Sequence, residues 1–479
     1  MRPAARPALR SAARPAGRPA PRPGARARAS WAEPQDPRRL FAAILSAVVP
    51  GLGQALNGRR WLAPRLALPF LVVVGIAGLV VATQSPTRLV ATLVAPLTMT
   101  ILLAVNGAIL ALRLGATLHA FFDARYPGRP GRLGALGLAI VVVLTAAPHV
   151  VLHGWGDAGK RAFERVFTGE LALADGSGTL AAGTRDPGLG ERINVLVLGI
   201  DKTPWRTATL TDTMLVVSVD PTGAGVSMVS LPRDLVDVPL GEDDTFHAKL
   251  NSLMSYADRH PDAFPEGGIR TLEDAVGDLL GIRIHYYALM DFVGFVKMVD
   301  ALGGVDIDVA HGFFDPEYDG YGFTKMGWGV EPGPHHFKGY EALAYARARK
   351  GATETDFKRQ ARQQEILLAL RDRALEGGSL LFHLPELLGA VGEYVRTDIP
   401  PSRLPELAAL AEEIDSSRIV RIVIQRPLVR GGVDDRLGSV QWPELELIRE
   451  MAGVLFPAPG TPAQPWPTPA PSTGAAAAP

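Results

Sequence analysis

Arginines, an aspartate and glutamines are concentrated in one short stretch that runs from Arg347 to Gln363. If a helix begins near Asp356, then Asp356, Arg359 and Gln363 stand at i, i+3 and i+7 and share one face. Arg347 and Arg349 are two residues apart, so both reach that face only where the chain is extended. Clustered guanidinium groups bind phosphate oxygens in pairs, which favours a diphosphate ligand. A solvated, salt-bridged helix start would show the same charges.

Further charged residues follow three strand-like apolar runs. The first run ends in Asp201, Asp212 leads into the second, and Arg233 and Asp234 follow the third. Acids at the ends of buried strands lie where open α/β sheets place their ligands. A single aspartate there is more often a turn or cap residue, so the functional interpretation depends on their occurring together.

These residues belong to seven segments that resemble, in order, the signature segments of the LytR-CpsA-Psr family over about residues 190–425. The segments are Gly199-Ile-Asp201, Asp212-Thr-Met214, Ser230-Leu-Pro-Arg233-Asp234, Lys249-Leu-Asn251, Asp300-Ala-Leu-Gly-Gly-Val305, Gly339-Tyr-Glu-Ala-Leu-Ala-Tyr-Ala-Arg347-Ala-Arg349 and Asp356-Phe-Lys-Arg359-Gln-Ala-Arg362-Gln363. The resemblance implies an extracytoplasmic phosphotransferase that moves a glycan phosphate from a polyprenyl diphosphate carrier onto peptidoglycan.

The resemblance also implies a role for each matching residue. Asp201 and Asp212 correspond to an acidic pair that holds Mg²⁺ against the diphosphate. The residues that correspond to the diphosphate-binding arginines and to the acid that orients them are Arg233, Arg347, Arg349, Arg359 and Asp356. Those that correspond to other substrate-binding positions are Lys249, Arg362 and Gln363. The segment before Asp212 departs from the family's Gly-Arg-Ser-like turn, and Arg206 is the candidate replacement for its arginine.

The implied chemistry is physically coherent. A diphosphate ester carries two negative charges that a divalent cation and arginines must neutralise before an alcohol attacks. Phosphoryl transfer depends mainly on positioning and electrostatics. The group that accepts the proton stays open between Asp234 and the metal-binding acids. Leu367 and Leu370 continue the face of Gln363, which suits either a prenyl tail or the packing of a helix on a sheet.

Three functions are therefore carried forward. The first is a membrane-anchored, Mg²⁺-dependent transferase that moves a glycopolymer, such as a teichoic acid or a capsule, onto peptidoglycan. The second is a hydrolase that cleaves polyprenyl diphosphates with water at the same site. The third is a non-catalytic lipid-binding envelope or regulatory protein, since family membership alone does not guarantee chemistry. Paired acids near a phosphate site favour a metal and catalysis over binding alone.

The site residues must be positioned by a domain at 190–456, in which strand-like and helix-like runs alternate. Beyond the three strands at the site, strands are predicted at 285–289, 305–309 and 418–424. Helices are predicted at 251–259, 271–280, 291–302, 339–345, 356–375, 384–395 and 403–413. This alternation predicts an extracytoplasmic three-layer α/β/α domain with a mixed central sheet, preceded by a helical transmembrane region.

The membrane region is predicted at 40–153. Apolar runs at 66–82, 89–112 and 133–152 approach or exceed the length of a transmembrane helix. A shorter run at 40–56 contains a proline and glycines, and is read as re-entrant, interfacial or a poor fourth span. Arginines precede the first span and the last span. The positive-inside rule places both of these arginine-rich segments in the cytoplasm. The multi-pass protein would then have a cytoplasmic N-terminus and an outward-facing catalytic domain.

The remaining segments and the composition narrow the partners. A cytoplasmic arm at 1–39 and a tail at 457–479 are rich in proline and alanine and predicted to be disordered, and 154–189 reads as a stalk with a short helix at 160–167. The arm's regularly spaced arginines suit anionic membrane lipids. The absence of cysteine excludes thiol catalysis and thiolate metal sites. A net charge of zero, without a recognisable binding motif, weighs against nucleic acid.

Overall fold

The computed structural model describes residues 36–126, 128–167, 185–188, 190–201, 210–318, 320, 327–351, 354–376 and 384–467. The predicted arm up to residue 35, Arg206, residues 168–184 and 189 of the predicted stalk, and residues 468–479 of the predicted tail lie outside that part. The described residues form two compact units. One combines residues 36–67 with 113–143, and the other combines 68–112 with the described residues from 144 onward.

The helices of the membrane region are α1 (Asp36–Val48), α2 (Leu52–Leu56), α3 (Leu62–Thr83), α4 (Pro86–Leu93), α5 (Pro96–Phe121) and α6 (Arg132–Phe167). Among the described residues, three stretches are long and apolar enough to cross a membrane: Leu62–Thr83, Leu97–Phe121 and Arg132–Ala162. The number of spans therefore agrees with the three predicted from hydropathy.

The start of the second span was predicted wrongly. The apolar run at 89–112 is divided between α4 and α5, with a break at Val94 and Ala95. Pro96 causes the break, because proline disfavours the helical conformation in the residue before it and is well accommodated at the start of a helix. The span therefore begins at Leu97, and α4 is a separate helix between two spans.

Two other boundaries in this region also differ from the prediction. The run at 40–56 consists of α1 and α2, which have 13 and 5 residues and are each too short to cross a bilayer. Helix α1 begins at Asp36, inside the predicted arm. Helix α6 continues to Phe167 and therefore includes the first part of the predicted stalk. Its 36 residues correspond to a length of about 54 Å, well beyond the roughly 30 Å of a bilayer core.

The domain that follows contains, in chain order, β1 (Ile193–Asp201), β2 (Leu210–Val219), β3 (Val226–Ser230), β4 (Val238–Leu240), β5 (Asp244–Phe246), α7 (Leu253–Asp258), α8 (Gly267–Leu280), β6 (Tyr286–Asp291), α9 (Phe292–Ala301), β7 (Val305–Val309), β8 (Phe313–Asp315), β9 (Trp328–Val330), β10 (Gly333–Phe337), α10 (Gly339–Arg347), α11 (Asp356–Leu375), α12 (Leu384–Tyr394), β11 (Val395–Thr397), α13 (Leu404–Glu413), β12 (Ile419–Val423), β13 (Val429–Asp434), β14 (Gly438–Pro443) and α14 (Leu445–Leu455).

A mixed six-stranded sheet with the order β11-β6-β1-β2-β3-β12 organises this domain. The β1–β6 and β3–β12 pairs are parallel and the others are antiparallel. Side chains alternate between the two faces along β1. Leu196 and Leu198 pack in the larger core with residues of α7, α8 and α14, whereas Val195 and Val197 face the opposite layer. The predicted three-layer α/β/α architecture with a mixed sheet is confirmed.

The C-terminal part of the domain extends further than predicted. Helix α14 and the hairpin of β13 and β14 were not predicted, although α14 supplies Ile448 and Met451 to the larger core. Part of the predicted tail is also ordered, since the backbone N–H of Gly460 donates to Asp220 Oδ2 at 2.9 Å. Trp466 packs against the larger core. Proline-rich composition therefore misled the prediction for residues 457–467, where contacts with the domain fix the chain.

A buried carboxyl group on α8 makes the stability of the domain depend on pH. Glu273 has no exposed surface, and its Oε2 lies 2.8 Å from Arg270 Nη1. Burial, aided by repulsion from Asp398, raises the pKa of Glu273 from 4.5 to about 7, and attraction to Arg270 opposes the shift only in part. Glu273 therefore holds its proton in the folded state at pH values where it is ionised in the unfolded chain.

We predict that Glu273→Gln changes the pH dependence of unfolding. Between the unfolded pKa of 4.5 and the folded pKa of about 7, only the unfolded wild type loses this proton. Its free energy of unfolding should fall as pH rises through that window, by up to ~3 kcal/mol. The melting temperature of the variant, measured on the full chain in detergent, should increase relative to that of the wild type as the pH rises from about 5 to about 8.

The matched control for this measurement is Glu450→Gln, which removes a carboxyl group from the exposed surface of α14. Its melting temperature should stay parallel to that of the wild type at every pH. A constant difference between Glu273→Gln and the wild type across the range would contradict the assigned burial of a neutral Glu273.

Candidate active site

A polar cavity of about 440 Å³ lies at the ends of β1 and β3 and the start of α11. It is lined by Asp201, Leu210, Asp212, Thr213, Arg233, Asp234, Lys249, Asn251, Phe292, Arg347, Arg349, Arg359 and Gln363. All the site residues predicted from the sequence line this cavity except Asp356 and Arg362. The residues that line it without having been assigned a role include Thr213, Asn251 and Phe292.

An irregularity in strand pairing brings Asp212 to the cavity. Gly199 pairs with Thr213 and Ile200 pairs with Thr211, so Asp212 is the additional residue of a β-bulge. A bulge turns the extra side chain away from the regular alternation of the strand. Glycine at 199 permits this close pairing, because a Cβ there would lie 3.0 Å from the Thr213 side chain. Asp201, at the end of β1, is 5% exposed and lines the same cavity.

One oxygen of Asp356 faces three arginines. Its Oδ1 lies 2.8 Å from Arg359 Nη2, 3.7 Å from Arg233 Nε and 3.8 Å from Arg349 Nη1. Its other oxygen accepts a hydrogen bond from Gln360 Nε2 at 3.0 Å. Asp356 is the first residue of α11, so the helix start sets its position. The carboxylate lies beside the cavity and holds the arginines that form its wall.

The other carboxylates at the cavity also face cations. Arg233 Nη1 donates to Asp212 Oδ1 at 2.7 Å, and Lys249 Nζ donates to Asp234 Oδ1 at 2.8 Å. Arg347 Nη2 lies 4.0 Å from Asp201 Oδ2. With Arg349 and Arg359, the site has five cationic side chains against the four carboxylates of Asp201, Asp212, Asp234 and Asp356. Its formal charge at neutral pH is therefore close to balance, with one positive charge in excess.

The arginines divide into an inner and an outer pair. The side chains of Arg359 and Arg233 are 5% and 15% exposed, whereas those of Arg347 and Arg349 are 25% and 38% exposed. Burial acts to lower the pKa of Arg233, but attraction to Asp212 and Asp356 outweighs it and raises the pKa. Burial lowers the pKa of Arg359, which stays cationic at neutral pH because arginine is so basic. All four line the cavity, and the outer pair is the more accessible from solvent.

The end of α10 places the outer pair. Arg347 is the last residue of the helix, and the chain becomes extended at Ala348, with φ −59° and ψ 132°. The predicted requirement for a non-helical segment between Arg347 and Arg349 is met at that residue. Arg347 also lies over the ring of Phe292, with its guanidinium carbon 4.4 Å from the ring centroid. Its orientation is therefore fixed by an aromatic face as well as by charge.

Arg362 does not line the cavity, contrary to the role predicted from the resemblance. Its Nε donates to the carbonyl of Tyr345 at 2.8 Å, its Nη2 donates to that of Ala348, and its Nη1 pairs with Glu354. Its guanidinium carbon lies 4.1 Å from the centroid of the Phe313 ring. Arg362 is buried and satisfies carbonyl groups at the end of α10. It positions the segment that carries the outer arginines.

Asp315 is a second positioning residue, and sequence reasoning missed it. Its Oδ2 accepts the backbone N–H groups of Arg349 at 2.8 Å and of Lys350 at 2.9 Å. The carboxylate is buried and lies at the end of the short strand β8. None of the recognised segments contains it, and its distance along the chain from Arg349 left no local signal of this contact.

Two apolar cavities continue from the polar one along α11. A small cavity of about 120 Å³ shares Thr213, Phe292, Arg347 and Gln363 with the polar cavity. A larger one of about 580 Å³ shares Val197, Met298, Leu367 and Leu370 with the small cavity. The lining thus changes from charged to apolar along one direction. Leu367 and Leu370 line these apolar cavities, and Leu370 also belongs to a core cluster.

The fold and site define a class of protein: an α/β domain that presents arginines and carboxylates at the end of its sheet, beside an apolar cavity. Residues 182–440 match the model of the LytR_cpsA_psr family, and the chain belongs to this family. The segments recognised in the sequence lie within the matched region.

Two curated relatives illustrate the range of names in the family. The chain is 34% identical over 217 residues to the polyisoprenyl-teichoic acid–peptidoglycan teichoic acid transferase TagU of Halalkalibacterium halodurans, covering 45% of this chain and 63% of the relative. It is 33% identical over 215 residues to the regulatory protein MsrR of Staphylococcus aureus, covering 44% and 58%. The chain thus spans less than two thirds of either relative. The crystal structure of Bacillus subtilis TagV is 28% identical, with 55% of this chain and 96% of that chain covered and a TM-score of 0.43.

We predict that Arg362→Lys and Arg349→Lys affect the free energy of unfolding differently. A lysine at 362 cannot reproduce the several directed N–H groups that meet buried carbonyls and Glu354, so the variant should lose about 2 kcal/mol. Arg349 is more exposed, and the same change there should cost below about 0.5 kcal/mol. Urea unfolding of the full chain in detergent measures both values. Equal losses would contradict the division into positioning and ligand-facing arginines.

Proposed function

We propose that this protein transfers a glycan phosphate from a polyprenyl diphosphate carrier onto a hydroxyl group of peptidoglycan. The observation that carries the proposal is the continuity between the arginine-lined cavity and the apolar cavities along α11. A charged head joined to a long apolar tail is the ligand chemistry that matches this change of lining. Membership of the family and similarity to TagU, a polyisoprenyl-teichoic acid–peptidoglycan teichoic acid transferase, support the same reaction.

The charge of the site supports a diphosphate accompanied by a divalent cation. One excess positive charge does not neutralise a diphosphate diester, which carries two negative charges. The inner arginines lie 2.7 and 2.8 Å from carboxylate oxygens, whereas Arg347 and Arg349 are more exposed and lie 4.0 and 3.8 Å from theirs, so we assign the phosphate oxygens to Arg347 and Arg349. Their planar guanidinium groups bind such oxygens in pairs. A bound Mg²⁺ would supply the remaining positive charge.

Asp201 and Asp212 are the residues that we propose to hold Mg²⁺. Both line the cavity, and Mg²⁺ commonly uses one or two carboxylates together with substrate phosphates and water. Within the described ranges, no group of three or more His, Cys, Asp or Glu side chains is arranged to hold a metal ion. The carboxylate pair therefore fits a site that the substrate completes. When bound, the ion would neutralise phosphate charge and polarise the phosphorus for attack.

The reaction then depends on positioning by the chain's own residues. Arg347 and Arg349 hold the phosphate oxygens, so that the acceptor oxygen attacks phosphorus in line with the bond to the leaving polyprenyl phosphate. We assign the acceptor's proton to Asp234, the carboxylate that lines the cavity and is not needed for Mg²⁺. Lys249, 2.8 Å away, keeps that carboxylate in place. The bond to the prenyl phosphate breaks, and polyprenyl monophosphate leaves.

The membrane region supports a location at the cell envelope. Helix α4, between the first two candidate spans, contacts α13 of the domain through Ser85 and Glu412. Helix α4 and the domain should therefore lie on the same side of the membrane. Three spans give the same result, because two of them separate α4 from the domain along the chain. With the arginine-rich flanks in the cytoplasm, the domain would be extracytoplasmic and the N-terminus cytoplasmic.

The proposal is tested with the full chain in lipid nanodiscs, a polyprenyl diphosphate-linked glycan, Mg²⁺ and peptidoglycan. Mass spectrometry follows release of polyprenyl monophosphate and attachment of the glycan. Arg349→Ala should lower both by roughly 100-fold or more, because it removes an exposed phosphate contact. The surface change Arg436→Ala should leave both unchanged. Release without attachment would establish the hydrolase, and binding without release would establish a non-catalytic lipid-binding or regulatory protein.

A second measurement separates the metal from the proton acceptor. Mn²⁺ binding, followed by electron paramagnetic resonance with polyprenyl diphosphate present, should weaken by about tenfold or more in Asp201→Asn and in Asp212→Asn. Asp234→Asn should leave Mn²⁺ affinity within about twofold while lowering turnover by roughly 100-fold. If Asp234→Asn weakens Mn²⁺ binding as strongly as the other two changes, the assignment of roles is wrong.

A further inference from the structure

Helix α4 lies outside the region that matches the family, and it follows one candidate span and precedes another. Two residues separate it from each neighbouring helix, α3 and α5. A helix so closely tethered at both ends lies at the surface of the bilayer. Any surface of the domain that α4 covers is therefore at the membrane boundary.

Polar contacts dock α4 on α13. Ser85 caps the start of α4, and its Oγ donates to both carboxylate oxygens of Glu412, at 2.6 and 2.8 Å. Arg88 Nε lies 3.4 Å from Glu412 Oε2. One carboxylate of the domain thus accepts from the cap and pairs with the first turn of α4. These contacts hold the start of α4 against α13.

Helix α4 also contributes to the larger apolar cavity. Val90 of α4 and Val94 just after it line this cavity together with Val195 and Val217 of the sheet. Val90 and Val94 also pack in a small cluster with Leu404. They do not line the two cavities nearer the arginines. The wall made by α4 is therefore at the end of the passage that is remote from the phosphate-binding residues.

The volume of the cavity limits how much of a tail it can enclose. A cavity of about 150 Å³ holds benzene, which corresponds to roughly 25 Å³ per carbon. At that scale, the larger cavity of about 580 Å³ accommodates roughly four to five prenyl units. A longer carrier must leave the domain, and the bilayer is the apolar phase available to it. The membrane-side wall is where the tail would pass.

We propose that α4 is part of the lipid-binding site, and that the prenyl tail of the carrier runs along Val90 between the cavity and the bilayer. This inference rests on the proposed function for the identity of the ligand. It assigns a role in substrate binding to a helix of the membrane region. If α4 instead only anchors the domain to the membrane, Val90 has no contact with the carrier.

The experiment uses the absence of cysteine from the chain, so that each introduced cysteine is the single thiol present. Val90→Cys, Leu367→Cys and Val433→Cys are prepared in the full chain in nanodiscs. Each is treated with a small methanethiosulfonate reagent, alone and with a polyprenyl diphosphate of about ten or about two prenyl units, lengths chosen against the cavity volume. Leu367 reports on the passage near the arginines, and Val433, which is 79% exposed, is the matched surface control.

The long carrier should slow the reaction of Val90→Cys by about tenfold or more, and the short one by less than about twofold. Both should protect Leu367→Cys, and neither should protect Val433→Cys. Protection of Leu367→Cys by the long carrier without protection of Val90→Cys would overturn the role of α4 and leave the proposed function standing. Failure to protect either position would overturn both.

A second variant keeps the inference testable if Val90→Cys does not fold. Glu412→Ala removes the acceptor of Ser85 and the partner of Arg88 without changing a residue that lines the cavity. Its affinity for the long carrier should fall by about fivefold or more, and that for the short carrier should stay within about twofold. Equal effects on the two carriers, or no effect, would contradict the proposed path of the tail.

Discussion

The site depends on the attraction between one oxygen of Asp356 and three arginines. Guanidinium groups gathered around one cavity repel one another, and at about 4 Å each such pair interacts by roughly 1 to 4 kcal/mol, depending on the surroundings. Asp356 Oδ1 lies within 4 Å of Arg359, Arg233 and Arg349 and offsets that repulsion. The arginines can therefore remain together in the folded protein and do not have to be assembled by the ligand. A preorganised arrangement of this kind is what phosphoryl transfer requires.

Several elements of the fold serve this arrangement. The start of α11 fixes Asp356, and the bulge in β2 directs Asp212 towards Arg233. Arg362 binds carbonyl groups at the end of α10, and Asp315 accepts the backbone N–H of Arg349. Together they fix the direction of the chain after the helix and so the position of Arg349. Arg362 and Asp315 are buried, whereas Arg347 and Arg349 keep exposed surface. Burial thus distinguishes the positioning residues from those that can meet a ligand.

Local patterns predicted much of this architecture. The spacing of Asp356, Arg359 and Gln363 indicated a shared helical face, and the predicted helix at 356–375 is present as α11 with those bounds. Strand-like apolar runs located the three strands whose ends carry the site residues. Contacts between segments distant in sequence could not be predicted from local patterns. Asp315 accepts the backbone N–H of Arg349, which lies 34 residues further along the chain, and only folding brings the two residues together. The place of Arg362 was predicted wrongly, because its closeness to Arg359 along the helix does not show which of the two side chains lines the cavity. Helix α4 was hidden within a continuous apolar run, since hydropathy does not register the break before Pro96.

A crystal structure of the full chain with a long polyprenyl diphosphate and Mn²⁺ would show whether the preassembled arginines bind the carrier. We expect phosphate oxygens within hydrogen-bonding distance of Arg347 and Arg349, Asp356 still in contact with its arginines, and the first prenyl units beside Leu367. A diphosphate bound outside the polar cavity, or bound there with Arg347 and Arg349 turned away from it, would rule out this role of the arginines.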